Sequence, residues 1–232
     1  MGAGCMGKQK SVVLLSGGLD SATTLAIALD DGYDVYALSF DYGQKHNKEL
    51  KCAEKIAEHY KIKHKTIKVD LSWTKSALTD KKIKIPESRK NIGKNIPVTY
   101  VPARNMIMLS FALAYTETID ADAVFIGANA IDYSGYPDCR PEFYDAFQKT
   151  AELGTKKGAE SKPIQIKYPL INMTKSNIIK KGMELEVPYH LTWSCYKGKK
   201  KACGKCDSCM LRLKGFKEAG YDDPIEYEVR ND

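Results

Sequence analysis

The stretch Ser11–Ser21, with the sequence SVVLLSGGLDS, constrains the fold more than any other part of the chain. A run of branched apolar residues ends abruptly at Ser16-Gly17-Gly18 and a helical pattern starts near Ser21, which predicts a strand, a tight turn and a helix. Adjacent glycines let a ligand approach the main chain, and the free N–H groups at a helix start form a cradle for anionic oxygens. For Ser-Gly-Gly alone, an ordinary strand-to-helix turn is an equal alternative.

The composition predicts a globular, cytoplasmic protein with no membrane partner. The 232 residues are 43% hydrophobic and 28% charged, and no apolar run approaches the roughly 18 residues that a membrane helix needs. The net charge of +7 comes from scattered lysines, which favours a solvated surface that attracts a polyphosphate substrate over direct nucleic-acid binding. Residues 1–10 are expected to form a flexible N-terminus.

Strands alternate with helices after the first unit. Apolar runs at 35–40, 66–69, 123–126 and 164–169 predict further strands, with segments of helical periodicity along the same part of the chain. The chain is therefore expected to form an α/β fold with a doubly wound, mostly parallel sheet in residues 11–185, followed by a small C-terminal lobe in residues 186–232. Ligands of such sheets bind beyond the carboxyl ends of the strands, so Ser16–Ser21 and Asp41–Gln44 should share one nucleotide pocket.

Polar residues are also concentrated at two later points. Arg104-Asn105 lies at a helix entrance, where the pair can bind an anion and a planar ligand, although an Asn N-cap beside a surface Arg is the plainer alternative. The segment Gly127–Arg140 follows a strand and is rich in polar and aromatic side chains that suit a flat heteroaromatic substrate. Lys175, after the predicted N-cap Thr174, either neutralises phosphate or lies in solvent.

The connection Asp70–Pro97 interrupts the alternation. It contains seven Lys or Arg residues, two prolines and a glycine, and it has no regular period. Long irregular loops of compact domains are often lids or binding loops. A basic loop without a role is an equally fair interpretation, and the sequence does not decide between the two.

Four of the seven cysteines crowd into one short segment near the C-terminus. Cys203, Cys206 and Cys209 are spaced as C-x2-C-x2-C, and Cys195 precedes them. Four thiolates at such intervals can converge on one Zn²⁺ ion, and a full set of four leaves no open coordination position, which predicts a structural site. An iron–sulfur cluster is the main alternative, although the lysine-rich surroundings offer it little shielding.

Ser16-Gly17-Gly18-Leu19-Asp20-Ser21 resembles the pyrophosphate loop (PP-loop) of the ATP pyrophosphatases, which cleave ATP between the α and β phosphates and transfer AMP to an acceptor oxygen. It is not a Walker A loop, because no Gly-Lys-Ser/Thr follows at the required spacing. Together with Val101–Asn105, Gly127–Arg140, Thr192–Cys195 and the later cysteines, it makes the chain similar, from Val12 to about Phe216, to the 7-cyano-7-deazaguanine synthase family of queuosine and archaeosine biosynthesis.

The resemblance implies an ATP-dependent ligase. Its substrates would be 7-carboxy-7-deazaguanine, ATP and ammonia, and adenylation of the carboxylate, amide formation and a second activation would give 7-cyano-7-deazaguanine. Mg²⁺ with ATP, one structural zinc and a homodimer are implied as well, whereas direct nucleic-acid or membrane binding is not. The enzyme must align an oxygen nucleophile with the α-phosphorus and stabilise the departing pyrophosphate.

The candidate site residues fall into four groups. The residues expected to bind nucleotide are Leu15, Ser16, Gly17, Gly18, Leu19, Asp20, Ser21, Ala22, Tyr42 and Gln44, of which Ser16, Asp20 and Ser21, with Lys175, are the catalytic candidates. The substrate candidates are Arg104, Asn105, Asn129, Asp132, Tyr133, Asp138 and Arg140. The metal candidates are Cys195, Cys203, Cys206 and Cys209.

Two other functions compete with this one. The first is a PP-loop enzyme that thiolates or otherwise modifies tRNA, which would need an RNA-binding appendage. The second is a zinc-ribbon interaction module fused to a nucleotide-sensing domain, which would bind ATP without turnover. An α/β core and a zinc lobe already account for the whole chain length, which weakens the first alternative.

Overall fold

Five parallel strands form one sheet in the computed structural model, which describes residues 7–88, 95–131 and 135–230. The strand order is β3-β2-β1-β4-β5, and each neighbouring pair is parallel. The predicted α/β class with a parallel sheet is therefore confirmed. The strands are β1 Lys10–Leu14, β2 Asp34–Asp41, β3 Lys63–Lys68, β4 Ala123–Phe125 and β5 Gln165–Lys167.

Helices cover both faces of the sheet. Within the described part of the chain, no helix has the length and apolarity that crossing a bilayer requires.

α6 packs against α7 across the domain boundary predicted near residue 185, and that boundary stays a prediction. The helices are α1 Leu19–Asp30, α2 Lys48–His59, α3 Arg104–Thr118, α4 Pro141–Gly154, α5 Lys156–Ala159, α6 Lys175–Glu184 and α7 Asp207–Ala219.

β1 is the central strand, and its side chains alternate between two hydrophobic cores. Val13 and Leu15 pack with residues of α1, α2 and α6, whereas Val12 and Leu14 pack with residues of α3 and α4. β2 and β4 lie on opposite sides of β1, so the strand order reverses at its carboxyl end. Such a switch point opens a crevice for ligands, and the loop that follows β1 lies in it.

Polar residues near three helix starts differ in whether they cap the helix. α3 begins at Arg104, one residue after Ala103, whose φ of 53° is left-handed, so Asn105 lies inside the first turn and is not the N-cap. Asn47 precedes α2 but makes no capping hydrogen bond through its side chain. Thr174, in contrast, caps α6 as predicted, because its Oγ1 accepts a hydrogen bond from the Asn177 N–H at 3.2 Å.

The basic connection follows a defined path over residues 70–88 and is tied to the C-terminal lobe. Lys45 donates to the Ile83 carbonyl at 2.6 Å, and Ile85 packs against the cysteine cluster. Glu87 pairs with Lys197, and the Ser88 N–H donates to the Lys205 carbonyl at 2.8 Å. A loop without any attachment is therefore excluded for this part of the connection, whereas residues 89–94 lie outside the described chain.

A buried ion pair holds the C-terminal lobe together. The Arg212 guanidinium donates to both oxygens of Asp223, at 2.7 and 2.9 Å, and these two side chains are 2% and 0% exposed. Arg212 also donates to Thr192 Oγ1 at 2.7 Å and to Ser194 Oγ at 3.3 Å. Because both charges are withdrawn from water, loss of either one would leave the other uncompensated.

Replacing Asp223 with Asn should lower the free energy of unfolding by about 3 kcal/mol, because Arg212 would keep its buried charge without an anionic partner. Urea unfolding followed by circular dichroism measures the change. Asp222→Asn is the matched control, since the Asp222 side chain is 102% exposed and contacts only Arg230, at 3.5 Å, among the described ion pairs. Equal unfolding midpoints for the two variants would contradict a stabilising role of the Arg212–Asp223 pair.

Candidate functional site

The loop after β1 is held together by hydrogen bonds of its two serine hydroxyl groups, and the start of α1 faces the cavity. Ser21 Oγ accepts from the Ser16 N–H at 3.2 Å and donates to the Gly18 carbonyl at 3.0 Å. Ser16 Oγ lies 3.0 Å from Ser21 Oγ and accepts from the Gly18 N–H at 3.3 Å. The loop thus joins the first turn of α1, where free N–H groups and the helix dipole favour an anion.

Position 17 requires a glycine, both for its backbone conformation and because other backbone atoms lie close to it. Its φ is +85°, and a Cβ atom added there would lie 2.1 Å from the Glu49 carbonyl oxygen and 2.8 Å from the Ala53 nitrogen. The Gly17 carbonyl accepts a hydrogen bond from the Trp193 N–H at 2.8 Å. The loop is therefore clamped between α2 and the segment that leads to the cysteines.

Asp20 and Lys175 form an ion pair behind the loop. Lys175 Nζ lies 2.7 and 2.8 Å from the two carboxylate oxygens of Asp20, and the lysine side chain is 8% exposed. Gly215 on α7 makes the room, since a Cβ atom there would lie 2.4 Å from Lys175 Cγ. The alternative that Lys175 lies in solvent is wrong. The pair places a positive charge beside a carboxylate that would otherwise repel phosphate.

A cavity of about 250 Å³ opens at the carboxyl ends of β1, β2 and β4. It brings together most of the candidates from the sequence, which come from distant parts of the chain. The candidates that line it are Leu15, Ser16, Gly18, Leu19, Asp20, Ser21, Tyr42, Gln44, Arg104, Asn105 and Asn129. The described nucleotide, catalytic and substrate candidates outside its lining are Gly17, Ala22, Asp138, Arg140 and Lys175, whereas Asp132 and Tyr133 lie outside the described residues.

The candidates away from the lining have identifiable surroundings. Ala22 is fully buried in the core beside β1. Asp138 is buried and positions Asn105: its Oδ2 accepts from the Asn105 N–H at 3.0 Å, and its carbonyl accepts from Asn105 Nδ2 at 2.9 Å. Arg140 is exposed, and its Nε donates to the Pro137 carbonyl at 3.4 Å. Asp138 therefore acts on the cavity through Asn105.

Arg104 supplies positive charge to the lining of the cavity. Its guanidinium carbon lies 5.9 Å from the centre of the Tyr42 ring. Burial alone would lower the pKa of Arg104, but Tyr42, Asp138 and neighbouring groups raise it, so the guanidinium stays charged. Gln44 fixes the turn that carries Tyr42, because its Oε1 accepts from the Tyr42 N–H at 2.8 Å.

Sequence reasoning missed several lining residues. Glu49 and its neighbours on α2 carry no recognisable motif, and only the tertiary fold brings the start of that helix to the cavity. Burial raises the pKa of the Glu49 carboxyl to about 8, although Arg104 lowers it. Trp193 lies beneath the Lys48 ammonium, 3.2 Å from the ring centre. The other missed residues include Ser39, Lys45, His46, Ser194, Tyr196 and Ser208.

The four clustered cysteines converge, as their spacing predicts. Their sulfur atoms all lie within 4.8 Å of one another, and Cys203 Sγ lies 3.9 Å from Cys209 Sγ. Four sulfurs at about 2.3 Å from one tetrahedral ion would be about 3.8 Å apart, so the set fits a single metal ion. Backbone N–H groups of Lys197 and Cys203 point at Cys195 Sγ, at 3.4 and 3.3 Å, which suits anionic thiolates.

Comparison with known proteins matches this architecture to one family. The family model described as "Queuosine biosynthesis protein QueC" matches residues 10–220. The 7-cyano-7-deazaguanine synthase of Picrophilus torridus is 60% identical over 221 residues, which are 94% of this chain and 92% of the relative. The enzymes of that name from Acetivibrio thermocellus and Thermoplasma volcanium are 57% and 58% identical, over 96% and 94% of this chain and 99% and 91% of the relatives.

The sequence motifs, the parallel sheet with the loop at its switch point, and the four-cysteine set all agree with that match. The predicted resemblance is therefore confirmed, and the chain belongs to the QueC family of queuosine biosynthesis proteins.

Proposed function

We propose that the chain is an ATP-dependent ligase that converts 7-carboxy-7-deazaguanine and ammonia to 7-cyano-7-deazaguanine. The observation that carries the proposal is the single cavity that joins the start of α1 to Arg104 and Asn105. Its lining offers hydroxyl and N–H donors for a polyphosphate near Ser16–Ser21, and a guanidinium and an amide for an anionic planar base at Arg104 and Asn105. The names of relatives at 57–60% identity support the same reaction.

The loop and α1 would hold the pyrophosphate part of ATP. Ser16, Gly18 and Ser21 offer N–H and hydroxyl donors, and the start of α1 adds its positive dipole. Lys175 offsets the charge of Asp20 and orients it. Asp20 would hold Mg²⁺ through water, and the ion, when bound, would neutralise charge on the departing pyrophosphate.

Arg104 and Asn105 would bind the base and its carboxylate, with Asn129, Asp132, Tyr133, Asp138 and Arg140 as the other proposed substrate residues. The charged guanidinium of Arg104 can draw the carboxylate toward the α-phosphorus. A carboxylate oxygen then attacks this phosphorus and pyrophosphate leaves. Ammonia displaces AMP to give the amide and loses a proton.

The amide oxygen is activated in the same way by a second ATP, and AMP departs with that oxygen. Loss of the remaining nitrogen-bound protons leaves the nitrile. The scheme needs no covalent enzyme nucleophile, and alignment within a partly enclosed cavity supplies the main advantage. Because ATP is its co-substrate, the proposal places the enzyme in the cytoplasm.

Purified protein incubated with the carboxylate base, ATP and ammonia should release AMP and a product with the nitrile mass. Lys175→Gln should lower kcat/KM by about 100-fold, because Asp20 would lose its buried counter-charge beside the phosphates. Mass spectrometry measures both results. Lys180→Gln is the matched control, because Lys180 is exposed on the same helix. Modification of tRNA without any nitrile would favour the first competing function instead.

The metal held by the cysteines is proposed to be one structural Zn²⁺ ion. The close sulfur set fits one ion rather than a cluster of several metals, and four protein ligands leave no position for substrate. Elemental analysis should find one zinc per chain, and Cys206→Ser should lose it and lower the melting temperature. Cys52→Ser should keep the metal, since Cys52 packs beside the set without belonging to it. Full zinc content in Cys206→Ser would contradict the assignment.

A homodimer is also proposed. The family resemblance implies it, and several large apolar side chains are exposed on α3 and in the loops that precede α3 and follow β4: Ile96, Val98, Met106, Phe111 and Ile131. A patch of exposed apolar residues often marks an interface, and these side chains are proposed to belong to one.

Sedimentation should give twice the chain mass of 25.9 kDa. Phe111→Glu should shift the equilibrium toward monomer, because burying a charge in the interface is costly. Leu153→Glu should not, although Leu153 is 87% exposed at the end of α4. A monomeric wild-type protein at micromolar concentration would contradict the proposal.

A further inference from the structure

We propose that Glu49 recognises the edge of the substrate base that carries the ring N–H and the 2-amino group, and so selects for a 2-amino base. The inference rests on the proposed function and names a specificity-determining residue for that reaction. Glu49 is one of the side chains that line the cavity.

The base needs two acceptors side by side. A 7-deazaguanine ring presents N1–H and the 2-amino group on one edge, and both are hydrogen-bond donors. A carboxylate is acceptor-only and has two oxygens, so one side chain can take both donors. A site without such an acceptor would bury the donors unpaired, which costs more than a hydrogen bond gains.

Two carboxylates line the cavity among the described residues, Asp20 and Glu49. Both oxygens of Asp20 already accept from Lys175, and Asp20 stands in the phosphate-binding loop. The Gln44 oxygen is occupied as well, since it accepts from the Tyr42 N–H. In the described part of the chain, the Glu49 carboxylate makes no hydrogen bond or ion pair, so both of its oxygens are available to a ligand.

The position of Glu49 is set firmly. Glu49 lies in the first turn of α2, and its carbonyl oxygen packs against Gly17 so closely that a Cβ atom on Gly17 would approach to 2.1 Å. The side chain therefore projects from a helix that is fixed to the phosphate-binding loop. A carboxylate held in this way can orient a flat base relative to ATP.

The charges around Glu49 match the order of groups on the base. Arg104 and Tyr42 are its electrostatic neighbours within the cavity. On the base, the carbonyl oxygen O6 adjoins N1 and also lies next to the C7 carboxylate. Glu49 can accept from N1–H and the 2-amino group while Arg104 donates to O6 or the carboxylate. Each donor on the base then faces an acceptor on the protein, and each acceptor on the base faces a donor.

The electrostatics favour an incoming donor at this position. Burial raises the pKa of Glu49 to about 8, Arg104 on α3 lowers it, and Cys195 raises it. Tyr42 is the other titratable neighbour. Two donors from the base would favour the ionised form of Glu49 and lower its pKa again, because hydrogen bonds to a carboxylate stabilise its charge.

Glu49→Gln tests the inference with two bases, 7-carboxy-7-deazaguanine and its analogue without the 2-amino group. The wild-type enzyme should prefer the 2-amino base by about 10- to 100-fold in kcat/KM, the value of a hydrogen bond to a charged group. The variant should lose most of that preference through a higher KM for the 2-amino base, with kcat little changed. Glu58→Gln is the matched control, because Glu58 is exposed on the same helix.

Calorimetric binding of each base, without ATP, gives a second readout that does not depend on turnover. Glu49→Gln should weaken binding of the 2-amino base about 10- to 100-fold and leave binding of the analogue nearly unchanged. Circular dichroism of the variant checks that it folds, and Glu49→Asp supplies a second variant that keeps the charge but shortens its reach.

The outcomes separate the two proposals. Unchanged base preference in both Glu49 variants would overturn the inference while leaving the ligase function intact. A raised KM for ammonia with an unchanged KM for the base would assign Glu49 to ammonia and would also overturn it. If the wild-type enzyme forms no nitrile, the proposed function fails, and the calorimetric comparison still decides whether Glu49 reads the base.

Discussion

The backbone of Gly17 is the point on which the site depends. It is held between the Glu49 carbonyl on α2 and the Trp193 N–H of the C-terminal segment, and its φ of +85° turns the chain into α1. No other residue could replace it without displacing one of these elements, because any Cβ would overlap the α2 backbone. Three parts of the fold thus set the geometry of the phosphate-binding loop together.

Charge in and around the cavity is balanced by ion pairs whose members come from different segments of the chain. Asp20 on α1 is paired with Lys175 on α6, and Arg212 on α7 is paired with Asp223 beneath Thr192 and Ser194. Arg212 and Asp223 are both withdrawn from water, and Lys175 is nearly so, which makes separation of either pair costly. Glu49 differs from both of them, because its carboxylate opens into the cavity without such a partner among the described residues.

The four cysteines lie where the C-terminal segment and the basic connection meet the cavity. Trp193 precedes Cys195 and bonds the phosphate-binding loop, and residues 83–88 of the basic connection attach to the same lobe through Ile85, Glu87 and Ser88. A metal ion at the cysteines would thus stabilise a wall of the cavity as well as its own lobe.

The sequence by itself determined the class of fold and the family, and it proposed Ser16–Ser21 for phosphate and four cysteines for a metal ion. These depend on local spacing and on residues whose chemistry allows few alternatives. Arg104 and Asn105 became candidates through their position at a helix entrance and through the family resemblance, and the structure places both in the lining of the cavity. Only the tertiary structure decided that Lys175 neutralises Asp20, that Asp138 serves Asn105 and that Glu49 lines the cavity. Each of these depends on how helices far apart in the chain pack on the sheet. Periodicity and spacing describe neighbours along the chain, so they do not show which distant residues come into contact.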